Sequence, residues 1–189
     1  MPQELKPPYS GGLVAPDIFA RQPELGVLVA SVAHLWSIIE MHLADLVVHI
    51  AGQHALTIFL STVSLDMKLS ALSAVARQSL PTALYEEFRD HVQPDIRRRA
   101  KERNKIVHAR WAENGEFPDG IIMLPHFGDL SNATKFVELY RVPDLVEIFN
   151  RIAFLESAVR DFGHRVYLLK AEEERVRLKK AREAVGGPS

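Results

Sequence analysis

Residues 23–51 read PELGVLVASVAHLWSIIEMHLADLVVHIA, and the spacing of their apolar positions decides the fold class. Val29, Val32, Trp36, Ile39, Leu43, Val47 and Ile50 recur at steps of three and four, which lays side chains along one stripe of an α-helix. Gly52 closes the run, so one long helix is expected. After it, the pattern predicts helices over about 54–61 and 65–79. Pro81 then opens another, interrupted near Pro94, and a helix over 95–111 follows. The cluster of Asn114, Gly115, Pro118, Asp119 and Gly120 breaks the period, and GIIMLP and TKFVELYRV on either side of GDLSNA read as a short β-hairpin insertion near residues 120–141. Pro143 and Asp144 start a last helix that runs to about Ala184, apolar on one face only to about Leu169. Before residue 20, Pro2, Pro7, Pro8, Gly11, Gly12 and Pro16 suggest an irregular arm. The expected fold is all-α, a helical bundle with a hairpin insertion: an arm over 1–20, a domain over 21–170, and a charged helix extension with a frayed end over 171–189.

Composition narrows the chemistry. The chain has 189 residues, 47% hydrophobic and 25% charged, which suits one domain with its own core. No run is read as approaching the ~20 apolar residues of a membrane span, and the N-terminus lacks a secretory pattern, so a cytoplasmic site without a membrane partner is expected. Lys and Arg number 23 against 24 Asp and Glu, for a net charge of −1. Overall charge therefore gives no general attraction to nucleic acid, and any basic site must be local. Cysteine is absent, which removes thiolate nucleophiles, Cys-ligated zinc and iron–sulfur clusters.

One local basic site exists. Between Arg97 and Arg110 stand seven basic side chains and a single acid, Glu102. With Ile96 at 0° and about 100° per residue, Val107, Ala100 and Trp111 fall on one apolar stripe, and Arg103 falls inside it. Asn104 and His108 lie one turn apart on its shoulder. An arginine on an apolar face is costly unless paired. Glu40, placed on a buried face of the first helix, is the expected partner of Arg103 in a buried ion pair.

RNKIVH, from Arg103 to His108, resembles the R-x4-6-H motif of HEPN domains, with Asn104 supplying the polar residue that commonly follows the arginine. The surrounding AKERNKIVHARW, with WSIIE on an early helix, is similar to the bacterial single-domain members. The resemblance covers about 23–169, without the insertion and the charged tail. It implies a metal-independent endoribonuclease acting on single-stranded RNA, with a toxin or phage-defence effector as the family's setting and one composite site built from the motifs of a homodimer. On that resemblance His108 is the acid/base, Arg103 the phosphate clamp and Asn104 a positioning donor. Arg99, Lys105 and Arg110 are assigned to substrate binding and Glu40 to structural support. No metal and no cofactor are implied, and an antitoxin or regulatory protein is a further partner. These residue types suit the chemistry: histidine exchanges protons near neutral pH, and the planar guanidinium clasps phosphate oxygens. A straight helix, however, separates positions i and i+5 by about 140° and about 7.5 Å, so the motif needs a kink or a second copy. The alternative is a non-catalytic HEPN-like module that binds RNA, a nucleotide or a partner protein.

Other constellations are weaker. His42, Asp45 and His49 share a helix face opposite Trp36 and read as solvated residues rather than metal ligands. Glu87 and His91 match no metal spacing and read as surface residues. His126 and Phe127 read as a loop contact. No G-x-S-x-G, S-x-x-K or phosphate-loop motif occurs, which argues against serine hydrolases and NTPases. The AEEERVRLKKAREA tail has interleaved signs and little apolar seam, as expected of a solvated helix.

Overall fold

The computed structural model describes residues 2–5, 13–14, 17–124 and 137–185. In chain order the elements are β1 (Gln3–Glu4), β2 (Leu13–Val14), α1 (Ile18–Arg21), α2 (Pro23–Ala51), α3 (Gln53–Ser61), α4 (Leu65–Ser79), α5 (Thr82–Glu87), a π-helical turn (Phe88–Val92), α6 (Gln93–Val107), β3 (Arg110–Glu113), β4 (Gly120–Leu124), β5 (Glu138–Arg141) and α7 (Val142–Val185). The fold is mainly helical, with a small antiparallel sheet. Two compact units divide the chain: Met1–Ser37 with Arg98–Phe154, and Ile38–Arg97 with Leu155–Ser189. Residues expected in one domain over 21–170 are thus distributed over both, and α2, α6 and α7 contribute to each.

The first unit holds the sheet, in the order β1-β5-β4-β3-β2. The expected hairpin is present as β4 and β5, but it lies inside a sheet of five strands among the described residues. The arm read as irregular supplies both edges: Gln3 pairs with Leu139 and Leu13 with Glu113. Two-residue strands carry no alternation that a sequence pattern can register. Ala112, Ile122 and Leu139 stand in one row across three strands and pack with Leu5 and Val137. The opposite face carries Trp111, whose ring meets Tyr140 edge-on at 5.5 Å and Phe19 at 6.4 Å between centroids. Gly120 is required where β4 begins, because a Cβ there would lie 2.8 Å from both Leu139 Cδ1 and the Tyr140 carbonyl oxygen.

The second unit is helical. Ile39, Leu43 and Leu46 of α2 are buried, as are Leu69, Leu72 and Ala76 of α4 and Leu155, Val159, Phe162 and Val166 of α7. Phe88 packs on Phe162 at 5.7 Å. Gly52 ends α2 in the left-handed region, φ 80°, while its N–H still bonds the Val48 carbonyl. Pro94 does not stop the chain where an interruption was expected. A proline lacks the N–H that an α-helix uses; here the widened π-helical turn precedes it, and α6 starts at Gln93. Past Leu169 and Lys170, α7 continues as an exposed helix laced by pairs such as Arg175–Glu172 and Arg177–Glu174.

By length and composition α2 is apolar enough to cross a membrane: its best 18-residue window has a mean hydropathy of 1.5, with 22% of that window buried. This corrects the reading that no run approaches a span. Between Glu24 and Glu40 the helix carries no acid and no lysine or arginine.

Candidate active site

The helix expected to reach Trp111 stops at Val107. His108 occupies the turn that follows, its N–H still bonded to the Asn104 carbonyl at 3.1 Å, and Arg110 already opens β3 opposite Leu124. Trp111 satisfied the helical stripe, but it is buried as a strand residue. The early stop settles the distance problem that a straight helix posed. With His108 at the very end of the helix, Nη1 of Arg103 lies 3.4 Å from His108 Nε2. The same Nη1 donates to Asn104 Oδ1 at 2.9 Å. Arg103, Asn104 and His108 therefore meet within a single chain.

A guanidinium has donors only, so the contact with His108 requires the Nε2 lone pair to accept, which places the ring proton on Nδ1. Neither neighbour of Arg103 carries a negative charge. Its Nε is buried without a hydrogen-bond partner, and among the described residues no carboxylate pairs with this side chain. Arg103 is half-buried, as its place in the apolar stripe suggested, and His108 is exposed. Glu40 was expected to be buried as the counter-charge, yet it is exposed on α2, which corrects the expected buried ion pair. The result is a partly desolvated positive group whose charge the protein leaves uncompensated, beside an accessible imidazole. Such a group is poised for an anion.

The flanking basic residues behave differently. Lys105 is bound by Glu138 at 2.6 Å, and Tyr140 donates its hydroxyl to the same carboxylate at 2.8 Å. Burial, then the Glu138 carboxylate, pushes the Tyr140 phenol far above its ordinary range, so it stays protonated at neutral pH. Arg99 donates to Glu102 at 2.8 Å, and Arg151 reaches the other oxygen of Glu102 at 3.4 Å. Of the three expected substrate-binding residues, Lys105 and Arg99 thus meet a carboxylate, and Arg110 sits half-buried at the start of β3. Glu138, Tyr140 and Arg151 were missed. They come from β5 and α7, and only the tertiary fold brings them to the end of α6.

In the second unit, His42 Nε2 meets Glu156 Oε1 at 3.0 Å, Arg160 holds the same carboxylate at 3.0 Å, and His49 packs on Tyr167 at 5.1 Å. Asp45 alone of the expected solvated trio is exposed; His42 and His49 are half-buried. No three His, Cys, Asp or Glu among the described residues are arranged to hold a metal ion. Glu87, read as a surface residue, accepts hydrogen bonds from Nη1 and Nη2 of Arg165, which holds its carboxyl below the usual range. His126 and Phe127 lie outside the described residues. Comparison with known proteins adds no relative: no family model, no curated protein and no solved structure matches the chain.

Proposed function

We propose that the protein is a metal-independent endoribonuclease of HEPN type, acting on single-stranded RNA in the cytoplasm, with toxin or phage-defence activity as its setting. One observation carries the reading: the half-buried guanidinium of Arg103 has partners without negative charge, one of which is the exposed imidazole of His108. A phosphodiester entering the site takes the guanidinium as its clamp and frees Nε2 of His108 to accept a proton. The substrate's own 2′-OH then gives that proton to His108 and attacks phosphorus. The P–O5′ bond breaks, leaving a 2′,3′-cyclic phosphate, and the departing oxygen takes a proton to become a 5′-hydroxyl. Positive charge from Arg103 faces the phosphorane oxygens, and the Asn104 amide orients the guanidinium.

One imidazole serves as base, and a separate acid must protonate the leaving oxygen. Tyr140 is tied to Glu138 and does not reach for it. A homodimer supplies His108 of the partner subunit, so the proposed site is composite for reasons of proton balance rather than of reach. An antitoxin or regulatory protein fits as a cover for this exposed motif.

The same observation supports a second reading, an anion-binding module for RNA or a nucleotide, because one chain offers a clamp with a single imidazole beside it. Cleavage of an RNA oligonucleotide in EDTA separates the two. The nuclease gives cyclic-phosphate ends in wild type, at least about 10²-fold slower cleavage in His108→Ala, and no cleavage when the scissile nucleotide is 2′-deoxy. Tight RNA binding without cleavage leaves the binding module. Cleavage that requires magnesium contradicts the nuclease mechanism.

A further inference from the structure

The second unit carries an apolar cavity, open to solvent on one side, that the proposed RNA site does not use. The C-terminal end of α2, with α3 and α4, walls a space of about 160 Å³ lined by Val47, Phe59, Leu72 and Val75 among other apolar side chains. Its size is that of the ~150 Å³ apolar cavity that stays dry and takes up benzene, so it accepts one ring or an alkyl tail of about six carbons. The rim is apolar as well: Ile58, which lines the cavity, is 70% exposed, and Val63 and Met67 of the same α3–α4 segment are 99% and 65% exposed.

Among the described residues, Lys68 is the only charged one lining this space. It is half-buried, with Nζ 5.3 Å from the centre of the Phe59 ring, a cation–π contact that holds the ammonium at the cavity edge. Among the described residues no carboxylate pairs with it; nearby Asp66 is engaged by Arg97 at 2.9 Å. A bare phosphate has no use for the apolar walls, and a neutral hydrocarbon leaves the ammonium without a counter-charge. A monoanion with a short apolar tail satisfies both.

We propose that this cavity binds a small free carboxylate with an alkyl or aryl tail, its carboxylate on Lys68 Nζ and its tail against Phe59, Leu72 and Val75. Isothermal titration of the full chain with straight-chain carboxylates tests the assignment. Affinity rises about fourfold for each added methylene and levels off once the cavity is full, at about six carbons beyond the head group. Octanol binds at least about tenfold more weakly than octanoate, and octylammonium does not bind. Lys68→Gln lowers octanoate affinity about tenfold or more and leaves octanol unchanged. Ala71→Phe, at an exposed lining position, blocks both ligands while circular dichroism shows the helices intact, and octanoate raises the wild-type Tm by mass action. Four outcomes overturn the proposal: no heat with millimolar octanoate, equal binding of octylammonium, indifference to Lys68→Gln, or self-association or attachment to anionic vesicles through this face without binding of free octanoate.

Discussion

The end of α6 and the end of α7 are both dense in arginine, and they differ in what their arginines meet. On α7, Arg175 and Arg177 are each answered by a glutamate three residues earlier, at 2.7 and 2.8 Å, with side chains about three-quarters exposed. At the end of α6, Arg103 is half-buried and faces a carboxamide and an imidazole. Basic density is the same signal in both stretches of sequence. What distinguishes them is whether the fold supplies a counter-charge, since a compensated surface arginine contributes little to stability or binding, whereas an uncompensated, partly desolvated one favours an incoming anion.

The largest expected effect is on catalysis. Arg103→Ala and His108→Ala each lower RNA cleavage by at least about 10²-fold, and Asn104→Ala costs less because water replaces part of a positioning contact. Arg175→Ala and Arg177→Ala stay within about twofold of wild type, the measurement being initial rates on one oligonucleotide. Comparable losses at both ends would erase the distinction.

Stability sharpens it with the opposite sign. A half-buried charge without a partner disfavours folding, so Arg103→Met, which keeps the stem and removes the charge, should stabilise the protein by about 1 kcal/mol while abolishing cleavage. Arg175→Met should leave the melting curve unchanged. Both are read from urea unfolding at neutral pH. A destabilised Arg103→Met would mean that the guanidinium is compensated after all.

The Arg165–Glu87 pair on the second unit is the compensated case in which pH gives the readout. The hydrogen-bonded Arg165 guanidinium holds the Glu87 carboxyl below the ordinary glutamate range. A depressed folded-state pKa contributes stability above the unfolded value and loses it as pH falls through the folded one. Glu87→Gln should therefore cost about 1 kcal/mol or less at pH 7, given that both side chains are about a third to a half exposed. The difference from wild type should vanish as the solution is acidified through the carboxylate range. A difference that persists in acid would assign the cost to packing instead. Smallest of all, Glu172→Gln on the exposed tail should leave the urea unfolding midpoint indistinguishable from wild type.

The long helices were legible because their periods are long and one-sided. Around Trp36 on α2, at about 100° per residue, the buried Leu25, Val32, Ile39, Leu43, Leu46 and Val47 fill a sector from about −80° to about 20°. Glu40 falls at about 40°, just outside, which is why a wheel centred on Trp36 placed it inside and the fold leaves it exposed. The edge strands of the sheet were not legible, since Gln3–Glu4 and Leu13–Val14 are defined by what they pair with rather than by their own pattern. Arg103, Asn104 and His108 stood out in the sequence because a charge interrupts an apolar stripe and RNKIVH resembles a known motif. How they meet was hidden by Trp111, which fits both a helical stripe and an inward strand position. The stop at Val107 and the contact of His108 with Arg103 followed only from the fold.

The most direct test of the uncompensated guanidinium is the salt dependence of RNA binding, measured by fluorescence anisotropy on a single-stranded oligonucleotide made uncleavable by 2′-deoxy substitution. If Arg103 is a phosphate clamp, Arg103→Ala weakens binding about tenfold and reduces the slope of log K against log salt by about 0.7, the value of one lost contact on a single strand, while Arg175→Ala leaves affinity and slope as they are. Equal affinity and an unchanged slope in Arg103→Ala would contradict the account.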